Sequence, residues 1–167
     1  MKVATSKRIC FFEVDEAFVL RPKILLNCLQ EAESIHSWQA GYATEELLGR
    51  GRAWMIYRLA LAIHRPPMFG HALEIVTWHR GTRGFRSYRD FEVYQDGQKC
   101  VSASSLWLYI DLARKKILKV PKDVAQSYTV ETDQALDLDL DRWKPEAIGA
   151  DAGADMGRVI AVRPSDY

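Results

Sequence analysis

The side chains that could move a proton are few. Asp15 stands in the loop ahead of a helical stretch, Asn27 and Glu31 fall one helical turn apart on that stretch, and His36 comes late in it. A carboxylate or a neutral imidazole can take a proton from water, so that the water attacks an electrophilic carbon. Asn27 and Glu31, facing the same way, could position such a water; they could equally be a solvent-side pair. Asp15 could instead cap a turn with its side chain. His36 could be a hydrogen-bonded residue at the border of the core. No Ser-His-Asp pattern, Gly-Lys phosphate loop or HExxH helix is present. His36, His64, His71 and His79 are scattered, so no metal site is expected. Cys10, Cys28 and Cys100 are odd in number and widely spaced, which points to reduced thiols in a cytosolic setting. Cys28, on an apolar helix face, reads as an inert core thiol.

The densest charge runs from His79 to Arg89, where Arg80, Arg83, Arg86 and Arg89 fall within ten residues alongside Phe85 and Tyr88. Such a cluster could grip phosphate, could stack and bind single-stranded nucleic acid, or could simply charge a sheet edge against aggregation. The net charge is only +1. It gives no global drive toward nucleic acid or an anionic membrane. Trp54, Trp78 and Trp107 fall on strand-like segments and suit a core packed over a helix.

The elements that must position these groups follow from periodicity. With 167 residues the chain is one domain or one domain plus an appendage. A domain of this size buries roughly 70% of its unfolded surface, so its core needs no metal or disulfide. Lys7 to Val14 suits a strand. Pro22 is placed as a first helical residue, and Ile24, Leu25, Cys28, Leu29, Ala32 and Ile35 form a stripe of about three turns. Burying that stripe is worth on the order of 10 kcal/mol. Gly41 ends the helix, and Thr44 to Leu48 forms a short one closed by Gly49 and Gly51. The period then becomes two. Strands are expected over 54–65, 72–79, 85–94 and 99–111, with a short one at 116–120. A turn is expected at Gly81–Gly84 and a hairpin at Asp96-Gly97. One long helix followed by a meander of long strands predicts an α+β fold in which an antiparallel sheet wraps the helix. Residues 122–157, with five acids from Glu131 to Asp141, read as a solvated linker with room for a short helix. Strand character returns at Val159–Val162, and Ile160 to Tyr167 echoes Ile9 to Asp15.

Several strings occur in an order that resembles a known family: Leu29-Gln30-Glu31-Ala32, His36, Gly41, Trp54 to Arg58, Arg65-Pro66-Pro67, Val76-Thr77-Trp78, Arg89-Asp90-Phe91, and Ser104-Ser105-Leu106-Trp107 with Asp111. Over about residues 8–120 the set looks like the N-terminal half of the acyl-ACP thioesterases, which hydrolyse acyl-acyl carrier protein in fatty acid biosynthesis. Those proteins are double hot-dogs, two helix-in-sheet units joined by a linker.

The resemblance implies a hot-dog unit over 1–121, a linker over 122–157 and the start of a second unit at 158–167. It implies that the family's catalytic motif would follow Tyr167, with Asp166 the acid just before it, and that Asp15 stands at the pseudo-equivalent of the family's catalytic acid. It also implies a tunnel for the acyl chain lined by the Trp-bearing strands, and a carrier-protein contact. Arg80, Arg83, Arg86, Trp54 and Trp78 are therefore the expected substrate-binding residues. The expected function is thioester hydrolysis by a form lacking the catalytic half; the alternative is a non-catalytic module that binds acyl chains or acyl carrier protein. No cofactor, metal, membrane or nucleic acid is expected. A homodimer in the cytoplasm is expected.

Overall fold

A computed structural model describes residues 1–143. The echo at 160–167 and the rest of the expected linker lie outside these residues.

Helix α1 runs Pro22–Gln39. It starts at Pro22, whose missing N–H is no loss in a first turn, and Gly41 at φ 80° follows its end in the left-handed region that glycine adopts without strain. Leu25, Cys28, Leu29 and Ala32 are buried against the sheet. The buried seam then continues through His36 and Ser37, so its last turn is polar. Helix α2 spans Thr44–Gly49.

Six strands form one antiparallel sheet: β1 Val3–Arg8, β2 Arg52–Ile63, β3 Ala72–Arg83, β4 Arg86–Gln95, β5 Gln98–Asp111 and β6 Lys116–Ile117. Its order is β1-β3-β4-β5-β2, with β6 paired to the end of β5. A simple meander would set β2 beside β3. Instead β2 crosses over through Pro66-Pro67 and pairs with β5, which among the described residues leaves β2 at an edge of the sheet. The expected strand at 7–14 is displaced: β1 pairs with β3 over residues 3–8, and Phe11–Glu13 is a single 3-10 turn. The Asp96-Gly97 hairpin is present, with both residues at positive φ as a two-residue turn of this kind requires. Gly81 is not in a turn. It sits within β3 at φ 120°, at an irregularity between His79 and Gly81, and the turn falls at Gly84.

Alternate residues of the strands meet α1. Leu73, Ile75, Phe91, Val93, Leu59, Leu61, Val101 and Ala103 share one core with it. The sheet curls around the helix as the α+β hot-dog arrangement requires. The opposite face is covered too. After helix α3 (Lys122–Ser127), residues 129–143 cross it as a strap. Leu140 is buried against Ala60, Leu106 and Leu108, with Leu136, Leu138 and Trp143 partly buried beside it. The acidic run is thus only half solvated: Asp137 and Asp139 are exposed while Leu136, Leu138 and Leu140, which alternate with them, pack inward. Among the described residues no helix is long and apolar enough to cross a membrane.

Candidate functional site

A cavity of about 320 Å³ opens between the first half of α1 and the free-edge side of the sheet. Leu26, Leu29 and Gln30 come from α1. Trp54, Met55, Ile56 and Leu59 come from β2, Trp107 from β5, and Phe91 from β4. The lining is nearly all apolar, and its volume falls at the lower end of small-molecule sites, which hold roughly 300–1,000 Å³. Trp107 is held by its indole Nε1, which donates to Ser105 Oγ at 2.8 Å, and Ser105 donates in turn to the Arg89 carbonyl at 3.0 Å. Trp54 stacks edge-on against Tyr109, with ring centres 5.1 Å apart.

Deeper under the sheet, the last turns of α1 meet a buried polar group. Arg89, on the helix face of β4, donates through Nη1 to His36 Nδ1 at 2.7 Å and to Thr77 Oγ1 at 3.3 Å. Tyr128, just beyond α3, closes this group. Its hydroxyl donates to Ser37 Oγ at 3.0 Å, and Ser37 donates to Glu33 Oε1 at 2.9 Å. The Tyr128 ring lies against both His36 and His79. Burial, then the Arg89 charge, lowers the His36 pKa to about 3 and the His79 pKa to about 4. Both rings are therefore neutral at pH 7, and His36 Nδ1 is the acceptor. Burial raises the Glu33 carboxyl, and Arg89 opposes that rise.

The proposed proton-moving residues are not brought together. Asp15 accepts from the backbone N–H groups of Ala17 and Val19 at 3.0 and 2.9 Å, fixing a turn that holds Phe18 at φ 61°. Asn27 and Glu31 are exposed on α1, while His36 is buried on the side facing Arg89. A serine–histidine pair absent from the sequence reading, Ser102 Oγ and His64 Nε2 at 3.0 Å, has its hydroxyl buried within β5, out of reach of a substrate. Among the described residues no cluster of three or more His, Cys, Asp or Glu is placed to hold a metal ion.

The four arginines are likewise divided. Arg89 is inside. Arg80 points to the buried Asp90 at 3.5 Å, and Arg86 pairs with Asp141 of the strap at 3.0 Å. Arg83 is exposed, its guanidinium near the Tyr88 ring. Of the two tryptophans expected to bind substrate, Trp54 lines the cavity and Trp78 does not; Trp107, expected only as core, lines it as well. Trp78 faces the strap, donates from Nε1 to the Asp133 carbonyl at 2.9 Å and is 1% exposed, because its position in β3 has the opposite parity to Ile75 and Thr77.

The fold matches solved structures of the hot-dog class. An acyl-ACP thioesterase from Bacteroides thetaiotaomicron superposes with a TM-score of 0.75 at 22% identity, over 89% of this chain and 58% of that one. The 12:0-ACP thioesterase from Umbellularia californica gives 0.73 at 20% identity, over 92% and 62%. In sequence, residues 2–128 match the acyl-ACP thioesterase N-terminal domain, and the chain belongs to that family. A palmitoyl-acyl carrier protein thioesterase of Arabidopsis thaliana, a chloroplastic protein, is 27% identical over 125 residues, 67% of this chain and 30% of its own length. The chain thus spans about a third of the length of the curated relatives it matches and under two thirds of these solved structures.

Proposed function

We propose that this chain serves the hydrolysis of acyl-acyl carrier protein as the unit that holds the acyl chain. The observation that carries this reading is the apolar cavity between α1 and β2, walled by Trp54 and Trp107 and floored by Phe91. Asp15, Asn27, Glu31 and His36 lie apart, bound to other work or exposed, which supports holding rather than cleavage as the role of residues 1–143. Titration with a palmitoyl-pantetheine thioester should quench tryptophan emission saturably, with no thiol release above the buffer rate. Absence of any quench would remove the holding role. Steady thiol release that Asp15→Asn or His36→Gln abolishes would place catalysis within this unit instead.

The carrier protein's phosphate and acidic surface are taken to meet Arg83 and Arg86 at the β3–β4 turn. Arg83 makes no ion pair among the described residues, and Arg86 is 42% exposed. The Arg83→Glu, Arg86→Glu double variant should weaken carrier-protein binding without weakening that of a free fatty acid. Free Cys10, Cys28 and Cys100 favour a reducing compartment such as the cytoplasm.

The free edge of β2 supports pairing with a second hot-dog unit, which for this chain alone is a second copy of itself. Light scattering at micromolar concentration should give the dimer mass; a monomer there would overturn the pairing.

A further inference from the structure

Five cations and no acid lie between Leu112 and Lys122, in a chain whose net charge is only +1. They are Arg114, Lys115, Lys116, Lys119 and Lys122, and all five are exposed. Among the described residues none of the four lysines makes an ion pair. The acids that flank the run are engaged: Asp111 pairs with Arg52 and Arg114, and Asp123 accepts from the Tyr42 hydroxyl at 3.0 Å. The run is folded as a hairpin. Asp111 Oδ1 accepts from the Arg114 N–H at 2.9 Å, closing a turn that holds Lys115 at φ 51°. Lys116 and Ile117 then pair with Asp111 and Ile110 as β6. The Leu118 N–H donates to the Tyr109 carbonyl at 2.8 Å, and the Val120 N–H to the Gly84 carbonyl at 2.9 Å. The second of these bonds sets the hairpin beside the β3–β4 turn. Apolar side chains stand among the charges: Ile117 is 53% exposed, and Leu112 and Phe85 are 40% exposed each.

We propose that this hairpin docks the protein on an anionic lipid bilayer, with the lysines at the headgroups and Ile117 and Leu112 in the interfacial layer. A net charge of +1 gives the molecule as a whole no attraction to such a surface. The attraction is local, and it orients the chain with the β5–β6 end toward the lipid. The composition of the run favours a bilayer over a protein or a nucleic acid. Arginine forks, which recognise carboxylates and phosphates in pairs, are taken up here: Arg52 and Arg114 by Asp111, Arg86 by Asp141. No aromatic ring stands within the run to stack a base. A fluid bilayer needs neither, because it meets point charges with a diffuse field and accepts apolar side chains one at a time. Each cation held near an anionic leaflet tightens binding about fivefold, the equivalent of about 1 kcal/mol. The proposal stands apart from the acyl-holding role, since none of these residues lines the cavity.

The test is co-sedimentation of the 167-residue chain with phosphatidylcholine vesicles, with and without phosphatidylglycerol at about a third of the lipid. The wild type should pellet with the anionic vesicles and stay in solution with the neutral ones. Raising the salt from about 0.1 M to about 1 M cuts the reach of the charges from about 10 Å to about 3 Å and should release most of it. The triple variant Lys115→Gln, Lys116→Gln, Lys119→Gln should bind anionic vesicles about a hundredfold more weakly. Its urea midpoint and its quench by palmitoyl-pantetheine should match the wild type. Ile117→Ser, which leaves every charge in place, should also weaken vesicle binding, and an unchanged affinity there would remove the insertion of Ile117. Equal binding to neutral and anionic vesicles, or full binding by the triple variant, would overturn the docking. So would a wild type that ignores anionic vesicles; loss of acyl carrier protein by the triple variant would then give the hairpin to that acidic partner. Vesicle binding without any acyl quench would leave the docking standing and overturn only the holding role.

Discussion

A neutral imidazole facing a guanidinium inside a core is costly to protonate, and that cost is visible as a dependence of stability on pH. In the folded chain His36 titrates near 3 and His79 near 4, both below the ordinary 6.5, chiefly through burial and then through the charge of Arg89. For groups whose pKa is depressed by folding, stability is fully present above the unfolded value. It is lost as pH falls from about 6.5 toward the folded value, because the unfolded chain takes up the proton first. Each histidine should cost on the order of 1.4 kcal/mol per pH unit inside that window. Urea midpoints measured between pH 7 and pH 4 should therefore fall less steeply in His36→Gln than in the wild type; parallel slopes would refute this account. His36 was visible in the sequence because it borders the helical stripe. Arg89 was not, because it was read together with Arg80, Arg83 and Arg86 as one patch. The signal that separates it is parity: Arg89 alternates with Phe91 and Val93, both of which face the core.

At the scale of elements, two glycines hold backbone conformations that other residues enter only with strain. Gly97 completes the β4–β5 hairpin at φ 72°, and Gly97→Ala should destabilise by about 1 kcal/mol. Gly81, at φ 120° in the β3 irregularity, occupies a region still less open to a side chain, and its Cβ would meet Val130 at 3.9 Å. Gly81→Ala should cost more, about 2 kcal/mol in a urea melt, and a smaller loss than for Gly97→Ala would contradict the placement. The helix, the hairpin and the long strands were legible because their periods and punctuation are local. The crossover of β2 to β5 was not, since nothing within β2 says which strand it will pair with. The strap is hard to read from sequence for a different reason. Its five acids mark a solvated segment, whereas the spacing of two between Leu136, Leu138 and Leu140 marks an extended segment with one dry side. Polar contacts pin it as well. Tyr88 donates to both Asp141 carboxylate oxygens at 2.9 and 2.8 Å, and the Ala135 N–H donates to Asp90 Oδ2 at 2.8 Å. Leu140→Ala should cost about 3 kcal/mol and Tyr88→Phe about 1 kcal/mol. In both variants, amide exchange should quicken first in residues 133–141.

At the scale of the whole molecule, both faces of one sheet are buried, one by α1 and one by the strap. Native thiol labelling should report that closure. Cys28 and Cys100, buried and with thiols raised by desolvation, should stay silent until denaturant is added, while half-buried Cys10 reacts in the folded state. Rapid labelling of all three would show a core that opens far more readily than its packing allows. What closure does not reach is the free side of β2. Trp54, Met55, Ile56 and Leu59 belong at once to the wall of the cavity and to that edge strand. The two roles cannot be set independently. On the proposed acyl-holding role, a strand docked on β2 would reshape that wall, and a chain already seated would stiffen the strand being docked upon. By reciprocity, the factor by which a fatty acid tightens association at this edge equals the factor by which association tightens the fatty acid.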